Sequence, residues 1–255
     1  MAPGLSRREL ISTFGCAAVA WPLAARAQQT GRPPQIGVLY PGIAAALAGR
    51  LPSLREGLRA VGYRDADTVE FVNRMSEGDP TRLPALAADL VERKVDILVP
   101  ISPSAVRAAR AATTTIPMVA NDLESDPVKS GFVASFAHPG GNITGLFSDF
   151  PDFGTKWVEL LKEAIPSLSR AVVLWDPATG PMQLGAVEEA GRLLNIKLEV
   201  MEIRAVAELE KVFKAASERR PDAIVILSSP IFWDQPQADR RPCADLSHSD
   251  RNAVS

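Results

Sequence analysis

Apolar and polar positions alternate along this chain in two rhythms that take turns. Residues 36–39 form a short apolar run, closed by Pro41-Gly42. From Leu51 the period changes: Leu51, Leu54, Leu58 and Val61 fall at helical spacing, and Gly62 is a stop signal. Residues 69–72 read as a second strand. Leu83, Leu86 and Leu90 mark another helix, followed by a strand at 95–99. A helix is predicted over 103–112, with Ser102 as N-cap and Pro103 in the first position. A fourth strand is predicted at 116–120.

After the turn signal Gly140-Gly141-Asn142 the alternation resumes. Trp157, Leu160, Leu161 and Ala164 suggest a helix, and 171–175 a strand. Val187, Ala190 and Leu194 share a helix face, and 198–203 is a strand. Val206, Leu209, Phe213 and Ala216 form a helical stripe before a last strand at 223–227. Strands alternating with helices of this length predict parallel sheets built by right-handed crossovers. Two runs separated near residue 140 predict two doubly wound α/β lobes: the first over 35–140, the second over 141–233. From residue 234 the pattern stops. Residues 234–255 hold few large apolar residues and read as an irregular or disordered tail.

The first 27 residues follow a different logic. Arg7 and Arg8 precede a mostly apolar stretch over 10–25, and Ala25-Arg26-Ala27 offers a small-x-small cleavage site. That is the layout of a secretory signal. Ser6-Arg7-Arg8-Glu9-Leu10-Ile11 resembles the twin-arginine motif, an address rather than an anchor. An amphipathic surface helix is the plainer alternative; Trp21-Pro22 and the Ala-x-Ala-like end favour a removed segment. Cleavage is expected after Ala27, leaving 28–34 as a short linker and directing the chain to the periplasm. Lipid attachment at Cys16 is a second alternative, poorly supported by the preceding Thr13-Phe14-Gly15.

Composition narrows the function. The 255 residues are 46% hydrophobic and 23% charged, an ordinary globular balance. A net charge of -2 gives no electrostatic case for nucleic acid or an anionic membrane. Removing residues 1–27 takes away three arginines and one glutamate, leaving -4. An aromatic content of 6% argues against a base-stacking platform. Cleavage would remove Cys16 and leave Cys243 alone, so no internal disulfide is expected. Only two histidines, His138 and His248, are present, with no nucleophile elbow and no metal-ligand cluster. Asp149 and Asp152 read as a solvated loop rather than a paired acid and base. An enzyme is therefore not expected, nor a metal or cofactor.

Three blocks carry a family resemblance. The first is 36–42 with Arg55-Glu56-Gly57-Leu58 and Gly62-Tyr63. The second is 82–91, then 95–99, then 109–117 ending in Thr113-Thr114-Thr115-Ile116-Pro117. The third runs from Ser125-Asp126-Pro127-Val128 to Pro139-Gly140-Gly141-Asn142-Ile143-Thr144-Gly145. Together they resemble the ABC-transporter substrate-binding proteins related to tryptophan- and tyrosine-binding importer components. The resemblance covers residues 6 to about 233, and its Pro-Gly-Gly-Asn-x-Thr-Gly block is the most specific part. It implies a periplasmic-binding fold of type I character: two lobes closing on a small solute, with an inner-membrane ABC permease as partner, and a monomer. It also implies a continuation of roughly half a domain beyond Trp233. On that basis the second lobe is expected to be incomplete, and a frameshifted or truncated remnant without function is the rival expectation.

In open parallel sheets, ligands sit beyond the carboxyl ends of the strands. The candidates there are Tyr40, Ser102, Ser104, Asn121, Asp126, Asp176 and Ser229, with Asp122 and Ser228 adjacent. Ser102 and Ser104 open a helix whose free N–H groups and dipole favour a carboxylate. Asp126 or Asp176 could pair with an ammonium, and Tyr40 could stack on an apolar ligand. Plainer roles compete: Ser102 as a cap, Asp126-Pro127 and Asp176-Pro177 as turns, Tyr40 as packing, Trp157 as core.

Overall fold

The structure is a computed structural model and describes residues 32–63, 68–148 and 150–233. The expected signal, most of the linker, the tail with Cys243 and His248, and Asp149 lie outside the described residues. Two parallel sheets are present. The first contains β1 (Gln35–Tyr40), β2 (Glu70–Met75), β3 (Ile97–Pro100), β4 (Met118–Asp122) and β5 (Ile143–Phe147), in the order β2-β1-β3-β4-β5. The second contains β6 (Arg170–Trp175), β7 (Lys197–Glu202) and β8 (Ala223–Ile226), in the order β7-β6-β8. The expected pair of doubly wound lobes is thus realised, the second with three strands among the described residues.

Strand alternation sends successive side chains to opposite faces, and helices cover both. On the first sheet, Ile36, Val38 and Tyr40 pack under α1 (Ala44–Ala60) with Leu47 and Leu51. Leu39, Leu98, Met118 and Ala120 face the other way. They meet α2 (Leu83–Glu92) and α3 (Pro103–Ala112) through Leu83, Leu90, Val106 and Ala109. The second sheet repeats this arrangement. Ala171, Val173 and Val225 pack with Val158 of α4 (Phe150–Ala164) and Val187 of α5 (Met182–Leu193). Val172 and Leu174 pack with Ala216 of α6 (Leu209–Glu218) and Ile231 of the short α7 (Pro230–Trp233).

Three differences from the sequence expectation have physical causes. Helix α1 starts seven residues before Leu51 and runs through Pro52. The strong helix formers of Ala44-Ala45-Ala46-Leu47 outweigh the one backbone hydrogen bond that Pro52 cannot make. Strand β5 follows the turn at 140–142 and joins the first sheet, in register with β4 from Met118↔Ile143 to Asp122↔Phe147. The first sheet therefore extends past residue 140. Gly145 makes this pairing possible: a Cβ there would lie 2.0 Å from the carbonyl oxygen of Ala120. Asp152 belongs to helix α4 rather than to a loop. Among the described residues, no helix is long and apolar enough to cross a membrane.

Candidate functional site

Each sheet has one place where the chain reverses its direction of strand addition. In the first it lies between β1 and β3, in the second between β6 and β8. The carboxyl ends of these strands meet in one cleft between the lobes, open in part to solvent. Pro41 and Gly42 follow β1, and Ser102 and Ser104 follow β3. Asp176, Ala178 and Thr179 follow β6, while Pro230 and Ile231 follow β8. Such switch points are where open α/β sheets present ligand sites.

Ser102 occupies an unusual backbone position. Its φ of 88° and ψ of 158° fall in a region open essentially to glycine alone. Pro103 favours the extended ψ of the residue before it. The conformation is held from both sides: the Ser102 N–H donates to the Asn121 carbonyl at 2.8 Å, and the Ser102 carbonyl accepts from Val106 N–H at 3.0 Å. Ser102 stands in the N-cap position, but its side chain makes no cap hydrogen bond and instead pairs with the Ser104 hydroxyl at 3.0 Å. The first-turn N–H groups of α3 therefore keep their capacity for an anion.

Across the cleft, Asp176 is buried and oriented at both oxygens. One accepts the Ala178 N–H at 2.8 Å, the other the Ser229 hydroxyl at 2.6 Å. Burial pushes its carboxyl above the ordinary range, opposed by the Ser229 and Ala178 hydrogen bonds and by Arg204 and Arg107. These two bonds use about half of a carboxylate's acceptor positions, so a cation can still be received.

The other predicted residues take different parts. Tyr40 is fully buried on the same face as Ile36 and Val38, with the Arg50 guanidinium 5.3 Å from its ring centroid. It is core, not cleft wall; this corrects the stacking role, because position 40 shares the inward parity of 36 and 38. Asp126 shapes a turn: one oxygen accepts the Val128 N–H at 2.8 Å and the Lys129 N–H at 3.0 Å. Burial draws its carboxyl upward, but these bonds and the Lys129 charge hold it below the usual range. Asn121 is half-buried, and its side-chain oxygen is enclosed with no hydrogen-bond partner.

Several participants were not anticipated. Arg107, one turn into α3, donates to the Ala178 carbonyl of the other lobe at 2.5 Å. Glu124 is buried and accepts from the Ser228 hydroxyl at 3.1 Å, again across the lobes. Gln183 of α5 clasps Ser228 twice, donating to its carbonyl at 3.1 Å and accepting from its N–H at 3.0 Å. The clustering of three acids at Asp122, Glu124 and Asp126, from the last residue of β4 onward, is the signal in the sequence that points here. Among the described residues, no group of three or more His, Cys, Asp or Glu side chains is placed to hold a metal.

Residues 36–232 match the family described as ABC transporter substrate binding protein. The chain belongs to that family. A tyrosine-binding protein of Clostridioides difficile (strain R20291) is 24% identical over 202 residues, covering 76% of this chain and 56% of that protein. The crystal structure of a conserved domain protein from Vibrio cholerae superposes with a TM-score of 0.67 at 28% identity, covering 76% of this chain and 64% of that one. An ABC domain from Streptococcus pneumonia, crystallised with L-Trp, gives a TM-score of 0.68 at 23% identity, covering 79% and 68%. The chain thus spans a little over half the length of its curated relative and under two thirds of the Vibrio protein. These likenesses establish the two-lobed fold of solute-binding proteins for this family member.

Proposed function

We propose that this protein captures a small amino-acid-like solute outside the inner membrane and delivers it to an ABC permease. The observation that carries this reading is the meeting of both sheets' switch points in one cleft, with complementary ends. The α3 N-terminus with Ser102 and Ser104 would take the solute carboxylate. Asp176, set by Ser229, would take its ammonium. The apolar lining from Pro41, Pro80, Val206 and Ile231 suits an uncharged side chain. The tyrosine-binding relative and the L-Trp complex support that class of ligand.

The mechanism is closure of two lobes, divided between β5 and α4, around the solute, without covalent chemistry. We read the protein as a monomer and a non-enzyme. We read residues 1–27 as a twin-arginine export signal removed after Ala27, which delivers the folded chain to the periplasm. Mass spectrometry of exported material tests this: a free N-terminus at Gln28 is expected, and a lipidated Cys16 would contradict it.

A thermal-shift screen against amino acids tests the binding function, because a ligand held only by the native state raises stability. A rise with tyrosine, tryptophan or another neutral amino acid is expected, reduced in Asp176→Asn. A folded protein that responds to no solute would favour a remnant without binding activity.

A further inference from the structure

The bond between Glu124 and Ser228 lies apart from the cleft-lining residues, yet it joins the two lobes. The first lobe builds its half locally. Asp122 accepts the N–H of Glu124 at 3.1 Å and that of Ser125 at 3.0 Å, and its second oxygen takes the Ser125 hydroxyl at 2.5 Å. This turn directs Glu124 away from β4 toward the other lobe. The second lobe presents Ser228 at the end of β8, fixed by the double clasp of Gln183. Glu124 is 6% exposed and Ser228 also 6% exposed, so the contact excludes water while the lobes are together.

We propose that Glu124, buried where it meets Ser228 of the other lobe, is a proton-sensitive catch: closure is favoured while the carboxyl is protonated and disfavoured once it ionises. The inference rests on the reading of the molecule as an opening and closing clamp. Its chemistry is that of a carboxyl forced to choose between burial and charge. Burial, and then the neighbouring Asp122, push Glu124 up to about 7; the Ser228 hydroxyl, the Leu123 N–H and the Arg50 charge oppose them. The charges around it come from several elements. Asp122 stands on β4 and Arg50 on α1. Arg107 of α3 faces Asp122 and also Asp176, which is tied to Ser229 beside the catch. Asp126 and Lys129 form an ion pair of their own on the same loop. From the other lobe, the Ser228 hydroxyl meets Glu124, and Gln183 of α5 holds Ser228 in place.

The sign follows from proton counting. Opening brings Glu124 toward water and lowers its carboxyl from about 7 toward the ordinary glutamate range, with Asp122 of its own turn still beside it. Below about 7 the closed state then binds more protons than the open one, so the closed-to-open ratio falls as pH rises. The limit for one group is about tenfold per pH unit.

Single-molecule energy transfer in the full chain tests this. Dyes are placed at Glu92→Cys on α2 and Lys214→Cys on α6, both exposed positions, with Cys16→Ser and Cys243→Ser. Circular dichroism confirms that each variant is folded. The closed population is expected to shrink as pH rises from 5 to 8 in the native background and to stay constant in Glu124→Gln. In Ser228→Ala the loss of a donor to the carboxylate should move the response to higher pH. Two distances whose ratio ignores pH, or the same pH response in Glu124→Gln, would overturn the catch and leave the clamp standing. One fixed distance at every pH would overturn the clamp and the catch together.

Discussion

Both lobes place a buried aspartate at the carboxyl end of a strand, and they secure it by different means. In the first lobe, the Asp122 carboxylate is held by its own turn: among the described residues its three hydrogen bonds come from residues two or three positions away. In the second, Asp176 takes one bond from Ala178 and one from Ser229, which is 53 residues distant. The first wall can therefore form as soon as β4 is in place. The second exists only when β6 and β8 lie side by side. Among the described residues the first lobe's sheet is also the wider, five strands against three. Binding geometry in the second lobe should thus depend more steeply on global packing.

The largest expected effect comes from breaking that packing. Leu174→Ala, at a fully buried position on the central strand β6, should cost about 2–5 kcal/mol. Hydrogen exchange should show protection lost first over β6–β8, with β1 and β3 still protected. If both lobes lose protection together, the contrast between them fails.

Gly145→Ala attacks the first lobe at its edge. The new Cβ would collide with the Ala120 carbonyl, and overpacking of this kind costs about 1–3 kcal/mol. Exchange should accelerate in β5 while the second sheet is unaffected.

Acidity sharpens the comparison next. Burial raises the carboxyls of Asp122 and Asp176, and that of Glu124 to about 7. The folded state then binds more protons than the unfolded chain in the window from the ordinary carboxylate range up to about 7. Stability should fall as pH rises through that window, by on the order of 1–3 kcal/mol for Glu124. Thermal melts from pH 4.5 to 8 check this; Glu124→Gln should flatten the upper part of the curve.

A smaller effect of opposite sign is expected at Ser102. Ser102→Gly relieves a backbone conformation costing about 1–3 kcal/mol, against an entropic penalty of about 0.5–1 kcal/mol. A rise in melting temperature is expected, together with weaker solute binding through the lost hydroxyl. Arg107→Ala should change stability least, by under about 1 kcal/mol, because its bond to Ala178 is exposed. Unchanged melting with a larger open population in the energy-transfer assay would place Arg107 at the lobe interface only.

The regular elements were legible because their periods were clear, as at 103–112, where Ser102-Pro103 marks the start. Strand β5 was not. Its five residues carry a central glycine after a strong turn signal, and what makes them a strand is the neighbouring β4. Ser102, Ser104, Asp176 and Ser229 were proposed by a rule about strand ends, which needs only the order of elements, and the fold places them after β3, β6 and β8. Tyr40 satisfied the same rule and failed on parity, information present in Ile36 and Val38 two and four residues before it. Glu124 and Ser228 are 104 residues apart, and no local pattern reports such a pair.

The bonds of Arg107 and Glu124 to the opposite lobe also bear on timing. On the proposed function, a solute held in the cleft would leave only after these protein–protein contacts part. Its departure rate would then carry a contribution from the protein's own opening, added to the contacts that the solute makes with each lobe.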